Sequence, residues 1–239
     1  MTAELRNLAV HIDTGRWRET VLTAVDLVVP PGQITAVLGA PGAGKTMLAA
    51  ALTGRLPATA RYEGQVLING EVVHGQGWRQ LQGAVVGYMP QEGVTAFVPD
   101  KSVGEQLRAL EASHGKWSVE RACVAAQYPS SGLDLLPHQN SGGQIQRAAL
   151  AAALLPEPSV LVADGPANSL DMWTAWEVWK SLREYANYGA AVLVVSNDVQ
   201  TLIGDGVADR IVILREGRVV AAGSADLSDS DLRAALTLF

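Results

Sequence analysis

The sequence predicts an α/β fold built around a mostly parallel sheet with helices on both of its faces. Three short apolar runs, at 34–38, 160–163 and 191–195, have the nearly continuous hydrophobic character of strands buried on both sides. Helical patterns at about 142–155 and 172–187 precede the second and the third of these runs. This alternation of strand and helix is typical of a parallel sheet.

In the first third of the chain, alternating patterns predict short strands, in contrast to the nearly continuous apolar runs. Apolar residues alternate with other residues within 8–12 and within 25–29. The dipeptide Asn69-Gly70 separates two further runs, 65–68 and 71–73, and is a strong hairpin signal. Near the other end of the chain, 211–220 predicts a closing hairpin.

The segment 92–140 is less hydrophobic than its surroundings and contains Pro99, Pro129 and Pro137. It interrupts the alternation of strands and helices. We therefore expect an inserted helical lobe there.

Composition narrows the possible classes of protein. A chain of 239 residues with 48% hydrophobic and 18% charged residues suits one well-buried domain. Its net charge of −6, with no basic run, argues against nucleic acid as a partner. The single Cys123 excludes an internal disulfide. No leader pattern and no apolar run of the ~20 residues that a spanning helix needs are present, so we expect a cytoplasmic protein, with peripheral membrane association left open.

A phosphate-binding loop follows the first buried strand. Residues 39–46 match G-x-x-x-x-G-K-[ST] at every fixed position, and a helix is predicted over 47–56. Backbone N–H groups of such a loop surround phosphates, while Lys45 reaches the β- and γ-phosphates and the Thr46 hydroxyl ligates Mg²⁺. The alternative is a chance glycine-rich turn, which the flanking strand and helix disfavour. The predicted loop residues are Gly39, Ala40, Pro41, Gly42, Ala43, Gly44, Lys45 and Thr46.

Four further motifs follow in a fixed order. They are the segment 87–92, in which Gln91 follows a strand, the phrase 140–147, which opens a helix, the strand end at Asp164 with Asp171 beyond it, and 194–198. Together with the loop, this order resembles the nucleotide-binding subunits of ABC transporters over nearly the whole chain. The phrase Ser141, Gly142, Gly143 and Gln144 is the part that separates this family from other phosphate-loop ATPases.

The resemblance implies a phosphate-loop ATPase core with a mostly parallel sheet, an N-terminal antiparallel β subdomain and an inserted helical subdomain. It implies a single ATP-binding domain over 1–239. The ATPase core is expected to comprise 1–91 and 157–239, and the helical subdomain 92–156.

The resemblance also implies the cofactors ATP and Mg²⁺ and a set of site residues. Thr46, Gln91 and Asp164 stand where the family holds or senses the metal, and Asp171 stands at its dimer interface. In the family, the phrase 141–144 meets the γ-phosphate bound by the other subunit of a head-to-tail dimer. A serine and two glycines opening a helix suit an anion site, and an ordinary helix cap is compatible with that role.

Three positions depart from the family pattern. Gly165 replaces the glutamate that activates water, a general base worth roughly 10²–10⁴ in rate. Asn197 replaces a histidine that contacts the γ-phosphate. Ile12 stands where the family has an aromatic adenine platform, for which Trp17 is a possible replacement. Drift, or replacement of the base by Asp198, is the alternative to a site that no longer needs rapid turnover.

We hypothesise a heterodimer with one degenerate and one competent ATP site. The partners expected from the resemblance are a second ABC ATPase, membrane-spanning permeases and a substrate-binding protein, with this chain at the inner face of the cell membrane. Phrases at 102–107 and 136–144 resemble the dipeptide, oligopeptide and nickel importer branch, which favours peptide-type transport. The alternative function is an ATP-sensing regulator that is not coupled to a permease.

Two features outside these motifs allow simple interpretations. Trp173, Trp176 and Trp179 recur every third residue of a predicted helix, which favours a buried face over a contact stripe for a partner. Asp205 and Asp209 are interpreted as solvated charges.

Overall fold

The computed structural model describes residues 1–237. Its strands, in chain order, are β1 (Ala3–Asp13), β2 (Arg18–Val29), β3 (Ile34–Leu38), β4 (Ala60–Ile68), β5 (Glu71–Val72), β6 (Val86–Met89), β7 (Val160–Asp164), β8 (Ala191–Val195), β9 (Arg210–Arg215) and β10 (Arg218–Ser224). Its α-helices are α1 (Lys45–Leu52), α2 (Trp78–Leu81), α3 (Val103–His114), α4 (Val119–Ala125), α5 (Gly142–Leu154), α6 (Met172–Asn187) and α7 (Ser230–Thr237).

Two sheets organise the chain. The larger has the order β10-β9-β3-β8-β7-β6, and every neighbouring pair except β9–β10 is parallel. The smaller has the order β2-β1-β4-β5 and is antiparallel. The predicted α/β fold with a mostly parallel sheet and an N-terminal antiparallel sheet is therefore confirmed.

Both predicted hairpins form because their turn residues accept a left-handed backbone. Asn69 and Gly70 have φ values of 56° and 79° between β4 and β5. Glu216 and Gly217 have φ values of 46° and 72° between β9 and β10. Positive φ at both central residues matches the right-handed twist of the strands that such a turn joins.

The segment between β6 and β7 is helical and carries α3, α4 and α5. Ser102, Ser118 and Ser141 precede these helices, and each side-chain oxygen accepts a hydrogen bond from a backbone N–H of the first turn. Such caps pair N–H groups that have no partner inside the helix. The apolar residues of α5 pack onto the same core as β7 and α6, which fixes this segment against the larger sheet.

The predicted helix over 47–56 is wrong at its C-terminal end, because α1 ends at Leu52. Gly54 has a φ of 65° and lies directly against the Trp78 indole, so the chain turns away there. Helix α7 at the end of the described chain was not predicted.

The prediction of a buried tryptophan face on α6 is wrong for two of its three residues. Trp179 is 1% exposed, but Trp173 is 73% exposed and Trp176 is 41% exposed. Helix α6 covers the sheet with its later turns only, since its buried residues begin at Val178.

The interpretation of Asp209 as a solvated charge is also wrong. Its carboxylate pairs with the Arg183 guanidinium and accepts a hydrogen bond of 2.7 Å from the Ile34 backbone N–H. This pairing ties α6 to the start of β3. Asp205 is exposed, as predicted.

Within residues 1–237, no helix is both long enough and apolar enough to cross a bilayer.

Candidate functional site

The loop between β3 and α1 is shaped by its last glycine. Gly44 has a φ of 101°, a value that residues with a side chain rarely adopt. A Cβ atom at this position would lie 2.8 Å from Leu22 Cδ2 and 3.1 Å from the Val21 carbonyl oxygen of β2. The glycine therefore lets the loop pass against β2 and start α1 with its first N–H groups unpaired, which is a favourable setting for an anion.

Lys45 begins α1, and its ammonium group lies over the loop. Nζ donates to the Gly39 carbonyl oxygen at 2.5 Å and to the Ala40 carbonyl oxygen at 3.0 Å. Partial burial lowers the pKa of Lys45, while the charge of Asp164 opposes that shift. The positive charge is thus held at the mouth of the loop, where phosphate oxygens would replace the two carbonyls as acceptors.

Oxygen atoms of Thr46, Gln91 and Asp164 converge beside the loop. Thr46 Oγ1 donates to Gln91 Oε1 at 3.4 Å. Asp164 is 2% exposed at the end of β7, and its Oδ2 has no hydrogen-bond partner among the described residues. Burial raises the pKa of Asp164, and the Thr46 hydroxyl and the Lys45 charge act against this.

This donor set fits Mg²⁺. Hydroxyl, amide and carboxylate oxygens are ligands that Mg²⁺ prefers. A buried carboxylate oxygen without a partner is costly unless a cation or a hydrogen bond compensates it.

These groups line one cleft of about 440 Å³. Of the predicted residues, it contains Pro41, Gly42, Gly44, Lys45, Thr46, Gln91, Asp164, Gly165 and Asn197. Gly39, Ala40 and Ala43 belong to the loop but do not line the cleft. Five lining residues were not predicted as site residues: Val21, Met47, Asn168, Val195 and Ser196. Val21 lies on a strand of the other sheet, and nothing in the sequence places it there.

The loop after β7 is built around the conformation of Gly165. Its φ is 64°, and a Cβ atom would collide with the side-chain amide of Asn168. Its N–H donates to the Val195 carbonyl oxygen at 2.8 Å, which fixes the loop to the end of β8. The position after Asp164 therefore offers neither a carboxylate nor a backbone that accepts one without strain.

Asn197 follows β8 and also lines the cleft. In the amide orientation that satisfies its hydrogen bonds, the side-chain nitrogen donates to the Gly39 carbonyl oxygen at 3.0 Å and to the Ser196 carbonyl oxygen at 3.1 Å. The side-chain N–H of Asn197 therefore holds the first residue of the phosphate-binding loop. The Asn197 side chain is neutral.

Asp198 is the neighbour that could have replaced the missing base. Its Oδ1 accepts a hydrogen bond of 3.0 Å from the Thr201 N–H, and the residue does not line the cleft. The described structure thus gives no support to that replacement.

The phrase 141–144 lies outside this cleft. Ser141 Oγ accepts from the Gln144 N–H at 3.2 Å, and Gln144 Oε1 accepts from the Ser141 N–H at 2.8 Å, forming a capping box at the start of α5. Ser141 and Gly142 are exposed. Gly143 lies so close to Leu170 that a Cβ atom would be 3.0 Å from its Cδ2. The first turn of α5 is therefore open to solvent and backed by the segment after β7.

Asp171 caps α6. Its carboxylate accepts from the Thr174 N–H at 3.0 Å and from the Thr174 hydroxyl at 2.7 Å, and these bonds lower its pKa. A capping role and the predicted interface role are compatible, because Asp171 is exposed.

Gln146 was not predicted as a functional residue, although it belongs to the phrase 140–147. It is 4% exposed. Its Oε1 accepts from the Gly93 N–H at 2.9 Å, and its Nε2 donates to the Gly165 carbonyl oxygen at 3.1 Å and to the Pro90 carbonyl oxygen at 3.4 Å. One side chain of α5 thus joins the loop after β6 to the loop after β7. The signal in the sequence was an amide directly after Ile145, in a helix whose later turns are apolar.

Neither candidate for the adenine platform lines the cleft. Ile12 is half-buried near the end of β1, and Trp17 is 52% exposed in the turn before β2.

Comparison with known proteins agrees with this geometry. Residues 22–168 match the family model described as "ABC transporter". The chain is 30% identical to the oligopeptide transport ATP-binding protein OppD of Mycobacterium tuberculosis, over 94% of this chain and 39% of that protein. It is 25% identical to OppD of Bacillus subtilis, over 93% of this chain and 66% of that protein.

A solved structure has the same fold. The dimeric ATP-binding cassette MJ0796, bound to ADP and Pi, superimposes with a TM-score of 0.82 at 23% identity, over 93% of this chain and 98% of that one. The chain spans about two fifths to two thirds of the length of the two OppD relatives. The family model covers more than half of the chain, so the protein belongs to the ABC transporter family and contains its ATP-binding domain.

Proposed function

We propose that this chain is the weakly hydrolysing ATP-binding subunit of a heterodimeric ABC transporter ATPase. The observation that carries the proposal is the contrast between a complete phosphate loop with an intact 141–144 phrase and a loop after β7 that lacks a base. If the phosphate-binding loop and residues 141–144 had been lost as well, the chain would be expected no longer to use ATP.

Binding of ATP and Mg²⁺ is supported by the loop 39–46 and by the oxygen donors beside it. Lys45 supplies a charge, Thr46 and Asp164 supply metal ligands, and Gln91 lies against Thr46. When bound, Mg²⁺ neutralises part of the phosphate charge. The residues of this chain orient the phosphates around it.

Slow hydrolysis is supported by Gly165 and Asn197. Water bound in this cleft meets no carboxylate at the position after Asp164, and a positioned base is worth roughly 10²–10⁴ in rate. Asn197 is neutral and is already engaged with the loop, so it adds no charge to stabilise the transferring phosphate.

A partner ATPase is supported by the exposed start of α5. Ser141 and the glycines after it lie outside the chain's own cleft and combine a hydroxyl with a helix N-terminus. That chemistry suits an anion held by another subunit. We propose that this turn completes the competent site of the second ATPase.

We propose that the transported solute is a peptide. Two relatives whose similarity covers most of this chain carry the name oligopeptide transport ATP-binding protein. The proposed complex then includes membrane-spanning permeases and a substrate-binding protein, with this chain on the cytoplasmic face of the membrane.

The first test uses the purified chain alone. We expect saturable binding of a fluorescent ATP analogue that requires Mg²⁺, together with an ATPase rate near the background. Asp164→Asn serves as the matched control, since it removes the buried carboxylate and is expected to weaken Mg²⁺-dependent binding. Rapid hydrolysis by the isolated chain that Asp164→Asn abolishes would contradict the proposal.

The second test uses the assembled complex. Ser141→Arg places a large side chain on the exposed turn and leaves the chain's own loop untouched. We expect the ATPase rate of the complex to fall at least tenfold, while ATP binding by the isolated variant stays unchanged. Full activity of the complex would exclude a shared site, and the absence of any copurifying permease would favour the ATP-sensing regulator instead.

A further inference from the structure

A pair of hydrogen-bonded polar side chains adjoins the exposed turn 141–144. Tyr128 follows α4 and is 4% exposed, and its hydroxyl donates to Asn140 Oδ1 at 2.9 Å. Asn140 immediately precedes Ser141, whose side chain caps α5. Neither Tyr128 nor Asn140 lines the nucleotide cleft. The chain's own ATP site therefore does not explain this pair.

The amide of Asn140 is held at both of its ends. While Oδ1 accepts from Tyr128, Nδ2 donates to the Leu136 carbonyl oxygen at 3.0 Å. Both bonds are partly buried, so rotation of the amide would leave polar atoms without partners. The backbone of Asn140 is extended, with a φ of −78° and a ψ of 147°, and leads directly into Ser141. The Asn140 side chain therefore fixes the direction in which the chain enters the turn.

The local structure encloses the Tyr128 hydroxyl. Gln127 has a φ of 55°, and this left-handed residue ends the helical path of α4 and turns Tyr128 toward the core. The Tyr128 N–H donates to the Cys123 carbonyl oxygen at 2.8 Å. A Cβ atom at Gly132 would collide with the Tyr128 hydroxyl, so a glycine lets the following segment close over it. Within residues 1–237, Asn140 is the hydrogen-bond partner of this hydroxyl.

The turn itself has little to hold its direction. Its two glycines have no side chains, and its start is exposed. The capping box fixes the internal shape of the turn but does not attach it to the rest of the chain. Two neighbouring contacts do so, since Gly143 lies against Leu170 and Asn140 is bonded to Tyr128. A misplacement of about 1 Å can cost roughly 10²-fold in rate at a catalytic contact, so the direction of the turn matters for an anion bound there.

We propose that Tyr128 is a positioning residue for the turn 141–144. Its hydroxyl holds Asn140, and Asn140 sets the direction in which Ser141 Oγ and the first N–H groups of α5 face the phosphate held by the second ATPase. This role rests on the proposed function, in which the turn completes the partner's site. Tyr128 is too deeply buried to touch a nucleotide, so it acts only through the Asn140 side chain.

Tyr128→Phe in the assembled complex tests the kinetic consequence. The substitution keeps the buried ring and removes only the hydroxyl. Tyr185→Phe is the matched control. Tyr185 is 6% exposed, and its hydroxyl donates to the Pro158 carbonyl oxygen before β7, whereas the turn lies against the segment after β7.

We expect Tyr128→Phe to lower kcat of the complex about two- to tenfold, the range for one neutral hydrogen bond, and Tyr185→Phe to leave kcat unchanged. An equal fall in both variants would overturn the proposal, because it would indicate a general loss of stability.

NMR spectra of the isolated chain test the geometry without nucleotide or partner. We expect the N–H resonances of Gly142 and Gly143 to shift in Tyr128→Phe, and their hydrogen exchange to become about two- to tenfold faster. Tyr185→Phe should leave both resonances at their parent positions. Unchanged Gly142 and Gly143 resonances in Tyr128→Phe would overturn the proposal.

A double-mutant cycle tests whether Tyr128 acts through Asn140. Asn140→Ala removes the other partner of the hydrogen bond. We expect Tyr128→Phe to cause no further loss of kcat in the Asn140→Ala background, since both substitutions break the same contact. Losses that multiply would contradict the proposed path.

The two readouts separate this inference from the proposed function. Shifted resonances with an unchanged ATPase rate of the complex would show that the turn moves without consequence. That result would overturn the proposed function, and with it the role of the turn at the partner's site. Unchanged resonances overturn the positioning role alone.

Discussion

The loop after β7 and the first turn of α5 both lie next to candidate phosphate sites, but they differ in what they retain. The first keeps Asp164 and has Gly165 where a base is expected. The second keeps Ser141 and its capping box in full. The two belong to separate elements, so one can change while the other is preserved. The chain's own cleft and the turn that we propose serves a partner's site are therefore physically separable, even though Gln146 connects them.

The largest expected effect comes from breaking that connection. Gln146→Leu leaves the Gly93 N–H buried without a partner and removes one of the two hydrogen bonds that the Gly165 carbonyl oxygen accepts, the other coming from the Asn168 N–H. The unpaired N–H costs about 1–3 kcal/mol and the lost hydrogen bond about 1 kcal/mol, so we expect the free energy of unfolding to fall by about 2–4 kcal/mol. Urea denaturation measures the change.

Gln146→Glu is the matched control for this experiment. It keeps an oxygen that accepts from the Gly93 N–H but places a second carboxylate oxygen against the Gly165 and Pro90 carbonyl oxygens. At pH 7 we expect a loss of stability at least as large as that of Gln146→Leu, because the charge is buried without a compensating donor. If Gln146→Leu is as stable as the parent chain, the two regions are not joined through this side chain.

Lys45→Ala tests the chain's own site. Removing a charge-assisted hydrogen bond of about 1.5–3 kcal/mol should weaken ATP binding about tenfold to 150-fold, with little effect on stability. Isothermal titration with ATP and Mg²⁺ measures the affinity. Lys116→Ala, far from the cleft, should bind as the parent does, and an equal loss in both variants would indicate a nonspecific charge effect.

Gly165→Ala tests whether the missing base reflects a rebuilt loop. A side chain at a φ of 64° next to Asn168 should cost about 1–3 kcal/mol of stability. Gly206 is the matched control, because its φ is 70° and nothing lies within 4 Å of a Cβ built there. The difference between Gly165→Ala and Gly206→Ala isolates the contact with Asn168.

A glutamate introduced at position 165 would have to adopt the same positive φ beside Asn168. We therefore expect Gly165→Glu alone not to restore hydrolysis in the isolated chain, and Gly165→Glu with Asn168→Ser to be more stable than Gly165→Glu. Rapid ATP turnover by Gly165→Glu would show that the loop adapts freely.

The smallest expected effect is that of Ser141→Ala. Loss of the cap should lower the free energy of unfolding by about 1 kcal/mol. ATP affinity of the isolated chain should stay within twofold of the parent value, because Ser141 lies outside the cleft. Ser102→Ala, which removes the cap of α3, controls for the loss of a cap elsewhere. A large loss of ATP affinity in Ser141→Ala alone would contradict the separation of the two regions.

Much of the fold was predictable because it depends on local pattern. The strands 34–38 and 191–195 and the helix over 172–187 are continuous apolar or periodic segments, and the structure has them at those positions. The Asn69-Gly70 turn needs only the conformational preference of two residues. The early end of α1 was missed because the contact of Gly54 with Trp78 lies far away in sequence.

The sequence by itself determined most of the elements, the family and the phosphate loop, because these follow from residue type and spacing along the chain. Only the tertiary structure decided which side chains meet. It brought Val21 of one sheet to the cleft of the other, joined Gln146 to two distant loops, and left Trp173 in solvent while burying Trp179. The physical reason is that a periodic pattern shows which residues share a helix face, whereas exposure depends on how far the sheet beneath that face extends.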